Sequence, residues 1–99
     1  MSLIASGNNL FILDVTYIVP LEQAEPLLED HMAFVNKYYE QGFFLASGPK
    51  VPRTGGVILA ASDCREKIET LLKEDPFVIH NIAQYSVTEF HPRRTVDGL

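Results

Sequence analysis

Four apolar, strand-like stretches separated by two amphipathic helical patterns predict an α+β domain whose elements run β-α-β-β-α-β. Two further observations narrow the choice. The chain has 99 residues with 46% hydrophobic content, enough for one core and too little for two. The second and third strands are joined by a short Gly/Pro loop, so they most simply pair as an antiparallel hairpin. Both helices then cover one face of an antiparallel sheet. The domain spans residues 10–92, with a polar lead at 1–9 that is disordered or foreign to the native chain and a tail at 93–99.

Leu10 to Val19 is the first strand, stopped by Pro20. Its Phe11, Leu13, Val15, Tyr17 and Val19 make one apolar face, whereas Leu10, Ile12, Asp14, Thr16 and Ile18 make a mixed one. Helices on one side only would leave the mixed face toward water, so something is expected to cover part of it. A helical pattern begins at Pro20 to Glu25, but Pro26 has no N–H for an interior turn and would cost about 3 kcal/mol deep in a helix. The firm helix is therefore expected to start near Pro26 and to stop at Gly42, which suits the left-handed position past a helix end. Phe43 to Ser47 is the second strand, ended by Gly48-Pro49, and Lys50 to Gly56 is a surface loop. Val57 to Ala61 is a short, buried third strand.

Asp63 with Glu66 three residues on resembles a capping box, and Cys64, Ile68, Leu71 and Leu72 follow at helical spacing. That second helix ends at Glu74 or Asp75, because the residue before Pro76 is pushed out of the helical region. Phe77 to Ile82 reads as a connection, Ala83 to Phe90 as the fourth strand, and His91-Pro92-Arg93-Arg94 closes the ordered part. The order is the split arrangement of the ferredoxin-like α+β fold, whose open sheet face is where a partner packs.

Composition excludes several roles. A formal net charge of −5, with no basic run longer than Arg93-Arg94, leaves no footprint for nucleic acid. No apolar run approaches the roughly 18 residues of a membrane span, and the first residues lack a signal-peptide layout. Cys64 is the only cysteine, which suits a reducing, cytoplasmic home. His31, His80 and His91 are far apart with no ligand spacing, so no metal is expected, and the last two read as surface or loop residues.

His31 carries the strongest functional signal. At about 100° per residue, Leu27, Leu28, Phe34, Val35 and Tyr38 all lie within roughly 60° of it on the helical wheel. Glu22, Glu25, Glu29, Asp30 and Glu40 take the flanks and far side. An imidazole in the middle of the apolar stripe is either a satisfied core histidine or a general base or acid, since imidazole exchanges protons near neutral pH. Asp75, where the second helix stops, is the candidate acid that would fix the tautomer of His31; otherwise it is a helix-stop turn residue. The Ser47 hydroxyl could position a substrate oxygen, with Gly48 allowing close approach; otherwise Ser47-Gly48-Pro49 is a strand-ending turn. No G-x-S-x-G elbow surrounds Ser47, so it is not read as a hydrolase nucleophile. Cys64 shares the apolar stripe of its helix and reads as a small hydrophobe.

His31 in the first helix, Gly42, the strand into Ser47-Gly48-Pro49, the small-residue strand Val57 to Ala61 and Asp75-Pro76-Phe77, in that order and spacing, resemble the YCII-related domain family. The likeness covers about Leu10 to His91. It departs from the common pattern at Pro26 and at Val78-Ile79-His80-Asn81, where a glycine is more usual. The resemblance implies a ferredoxin-like domain that dimerises through its sheet, as in dimeric α/β barrels. It also implies a histidine and aspartate that form an active site, here His31 and Asp75, with Ser47 as a pocket residue; beside these, Gly48, Pro49 and Phe77 are expected to bind substrate, and no cofactor is expected. A dehydrochlorinase-like lyase role is proposed for some members.

The expectation is a small cofactor-free enzyme in which His31, oriented by Asp75, moves a proton on a small cyclic or aromatic metabolite, in lyase-like or isomerase-like chemistry. The rivals are a dimeric binding or sensory module and a cofactor-free oxygenase.

Overall fold

The computed structural model describes residues 3–99. In chain order the elements are β1 (Asn9–Tyr17), a short helix α1 (Leu21–Ala24), a 3-10 turn (Glu25–Leu27), α2 (Leu28–Glu40), β2 (Phe44–Pro49), β3 (Gly55–Ser62), α3 (Arg65–Leu72), α4 (Pro76–Ile79) and β4 (Ala83–Phe90). The strands make one antiparallel sheet in the order β2-β3-β1-β4, so the fold is a small α+β one with β1 and β3 in the middle. Register places Leu13 opposite Ile58 on one side and Val87 on the other.

The apolar face of β1 is the core face. Phe11 and Leu13 pack with Phe34, Val35 and Tyr38 of α2, Ile58 and Ala60 of β3, and Ile68, Leu71 and Leu72 of α3, which puts both long helices on one side of the sheet. Each Val, Leu, Ile or Phe side chain among them, fully buried, contributes about 1.5–3 kcal/mol. A second cluster joins Val15, Ala24, Phe77, Ile82 and Ala83. On the opposite face Leu10 is buried, but Ile12, Val57 and Phe90 remain 39%, 37% and 40% exposed. No helix among the described residues is long and apolar enough to cross a membrane.

Pro26 acts as expected. The segment from Leu21 is broken into α1 and a 3-10 turn holding the proline near its start, and the regular helix begins at Leu28. Gly42 follows α2 with φ +83°, the left-handed conformation a helix stop requires.

Three local expectations need correction. Gly48-Pro49 does not end β2 but continues it, pairing with Val57 and Gly56. β2 lies at the sheet edge, where a proline without an N–H is tolerated. The capping box at Asp63 does not form: Cys64 occupies the cap position of α3 without a side-chain bond. The Ser62 Oγ accepts from the Cys64 N–H (3.2 Å), while Lys67, one turn on, draws the Asp63 carboxylate away (2.9 Å). Finally, Phe77 to Ile82 is not a plain connection. Asp75 caps a further helical turn, α4, by accepting from the Phe77 N–H at 3.0 Å.

Candidate active site

Between α2 and the core face of the sheet lies a cleft of about 290 Å³. His31, Ser47, Gly48, Pro49 and Phe77 all line it, so five of the six residues singled out in the sequence meet at one cleft. The sixth, Asp75, is completely buried behind His31.

His31 projects from the first turn of α2 and is 14% exposed. Its Nδ1 lies 2.8 Å from Asp75 Oδ1. A carboxylate only accepts, so Nδ1 is the donor to Asp75, and in the neutral imidazole Nε2 then holds the lone pair. Among the described residues no protein group bonds Nε2. The imidazole also stacks flat on the Phe77 ring, with centroids 4.2 Å apart and planes 7° from parallel. The α4 turn thus fixes the ring twice, through Asp75 at its cap and Phe77 two residues on.

Asp75 has no solvent contact, yet its charge is well provided for. Oδ1 accepts from His31 and from the Phe77 N–H, and Oδ2 accepts from the Tyr85 hydroxyl at 2.5 Å. Burying a carboxylate is costly unless it is paired and hydrogen-bonded, and these three donors meet that condition. Burial, followed by the negative charge of Asp75 and the bond to it, pushes the Tyr85 phenol far above the ordinary tyrosine range.

Across the cleft, the Ser47 Oγ is 2.8 Å from the Tyr39 hydroxyl of α2. A methyl group at Gly48 would meet nothing within 4 Å, so the glycine leaves open space there without being needed for packing. Gly55 is the glycine the backbone requires: its Cβ would sit 1.8 Å from the Val15 carbonyl oxygen, at φ +154°. Val15, Leu28, Val35 and Ile58 supply the apolar lining.

Three contributors escaped the sequence reading. Tyr85 alternates inward along β4 like any core residue, and only the strand register brings it to Asp75. Tyr39 reads as a boundary aromatic. Arg53, which lines the cleft, belongs to a loop that composition marks only as surface. The signal for it was its place, four residues after Pro49, in the hairpin loop that Ser47-Gly48-Pro49 leads into. Cys64, by contrast, borders a separate open depression of about 470 Å³ between the C-terminal end of α2 and α3, away from His31. His80 and His91 are exposed, as expected.

Solved structures similar in fold include the following two. One is 5-chloro-2-hydroxyhydroquinone dehydrochlorinase (TftG) from Burkholderia phenoliruptrix AC1100, in complex with 2,5-dihydroxybenzoquinone. It has a TM-score of 0.68 and 15% identity, over 82% of this chain and 92% of that one. The other is a variant of SnoaB, a cofactor-independent oxygenase from Streptomyces nogalater, with a TM-score of 0.53 and 14% identity, over 93% of this chain and 99% of that one. At these identities the likeness establishes shared architecture. No curated protein sequence matches the chain. The family model of the YCII-related domain matches residues 10–91, the same stretch that carries the sheet, the cleft and the His31–Asp75 pair, and the chain belongs to the YCII-related domain family.

Proposed function

We propose that the protein is a small cofactor-free enzyme that moves a proton on a small cyclic or aromatic metabolite, with His31 as general base and acid and Asp75 as the group that orients it. The reading rests on one observation: an imidazole on a cleft wall whose Nδ1 is held by a buried carboxylate at 2.8 Å, leaving Nε2 for a ligand. In this scheme Nε2 takes a proton from an activated C–H or O–H, and the Asp75 carboxylate stabilises the imidazolium that forms. In an elimination, the electron pair of the broken bond forms the new π bond as the leaving group departs with its own pair. In an isomerisation, the proton returns to a different atom. Ser47, steadied by Tyr39, would hold a substrate oxygen, Phe77 would keep the ring in plane, and Gly48-Pro49 would form the edge. The cleft volume is at the small end of ligand pockets, which run from roughly 300 to 1,000 Å³, and suits a single ring.

Elimination on a halogenated or hydroxylated ring is favoured over oxygenation, since the fold neighbour with the higher TM-score is a dehydrochlorinase. The domain is ferredoxin-like in this reading and pairs with a second copy through the sheet face that exposes Ile12, Val57 and Phe90. The test incubates the pure protein with a panel of hydroxyhydroquinones, small phenols and lactones, followed by mass spectrometry. His31→Ala is expected to lower turnover by about 10²- to 10⁴-fold while the variant still melts cooperatively. Ligand-dependent thermal shifts with no compound consumed would instead make the cleft a binding module.

A further inference from the structure

The charge on the cleft wall runs against the rest of the molecule. The chain carries 13 Asp and Glu residues against 8 Lys and Arg, yet among the described residues no carboxylate lines the cleft, and Arg53 is the single permanent charge on it. The two cations of the β2–β3 loop are used differently. Lys50 is committed to Asp14 (2.5 Å) and to the Thr16 hydroxyl (3.1 Å). Arg53, among the described residues, has no carboxylate within ion-pair distance. An unpaired guanidinium at the side of an apolar slot, in an acidic protein, draws small anions toward that slot and binds their oxygens through its planar fork. The other polar groups on the lining are the Ser47 hydroxyl and the Tyr17 phenol, both able to donate to an oxygen, and the His31 ring.

We infer that the cleft takes a small ring bearing an anionic oxygen group, a carboxylate or an acidic enol, with Arg53 as the residue that selects it. The inference deepens the proton-transfer reading and rests on it for the site, though not for the chemistry. A ring lying on the apolar lining, with its anionic oxygens on Arg53, is held from two sides. The same cation also offsets negative charge that builds on the ring when a proton is withdrawn.

The experiment uses matched probes: 2,5-dihydroxybenzoate and its neutral amide, titrated against the full-length protein by calorimetry at low and at high salt. The carboxylate is expected to bind at least about tenfold tighter than the amide at low salt, with the ratio shrinking as salt rises. Arg53→Gln is expected to abolish the ratio and Arg53→Lys to restore part of it. His31→Ala is expected to keep it, so loss of turnover and loss of anion selection are read separately. Equal binding of acid and amide by the wild type overturns the inference, as does a preference that survives Arg53→Gln.

Discussion

Asp75 is the residue on which the site turns, and Tyr85 is what makes its burial tolerable. Tyr85→Phe leaves Oδ2 of a fully buried carboxylate without a donor, an omission worth about 1–3 kcal/mol of stability at neutral pH. The pH dependence follows from the raised phenol. An unfolded tyrosine ionises near pH 10, whereas folded Tyr85 keeps its proton well beyond that. Above about pH 10 the unfolded chain therefore binds fewer protons than the native one, and stability falls as pH rises. Its contribution is fully present below the unfolded pKa and is lost on the alkaline side. Tyr38, also raised, by burial and then by Glu74, acts in the same direction. Urea titrations from pH 7 to 11 are expected to show wild type ahead of Tyr85→Phe at pH 7, with the gap narrowing above pH 10. A constant gap would mean that the phenol titrates alike in both states. At this scale the sequence was most informative where a residue type contradicted its place: His31 on an apolar stripe, Asp75 before a proline. Tyr85 contradicted nothing, so its role was invisible until the register paired β4 with β1.

At the scale of elements, the cleft exists because the β2–β3 hairpin and α2 stand on either side of it. Backbone contact sets how closely the hairpin joins β1. Gly55 lies against the Val15 carbonyl so tightly that any side chain would force backbone apart. Gly55→Ala is expected to lower stability by roughly 2 kcal/mol or more, whereas Gly48→Ala, facing open space, should stay within about 0.5 kcal/mol. Denaturant midpoints of the two variants check this, and equal midpoints would refute the close-approach argument. Most elements were legible from periodicity and from Pro26, Gly42 and Pro76, because those signals act within a few residues. The errors came where a distant or competing partner decided the outcome. Edge position let Pro49 remain in a strand, Lys67 drew Asp63 off its cap, and Asp75 caps α4 in a stretch that reads as a mainly apolar connection.

For the whole molecule, the sheet has one face filled by helices and one that is not. The open face carries Ile12 beside Leu59 and Val57 beside Asp14, with Phe90 at the far end opposite Leu10. The proposed pairing uses this strip, and a two-fold arrangement would let the same residues serve both partners. The first strand gave the same expectation, since its second face carries Leu10, Ile12 and Ile18. In the proposed sheet-to-sheet pairing the helices would lie outside and the sheets within, with each cleft on the helix side of its own sheet. Sedimentation of the wild type is expected to give a dimer, and Ile12→Asp a monomer that keeps its far-ultraviolet spectrum, because Ile12 is already 39% exposed in the single chain. Introducing a charge there costs the monomer little but places two carboxylates in the apolar contact of the pair. A wild type that sediments as a monomer, or a dimer untouched by Ile12→Asp, would move the interface elsewhere. The His31–Asp75 pair is built within one chain, so the monomeric variant would then show whether the second copy shapes the cleft or only adds stability.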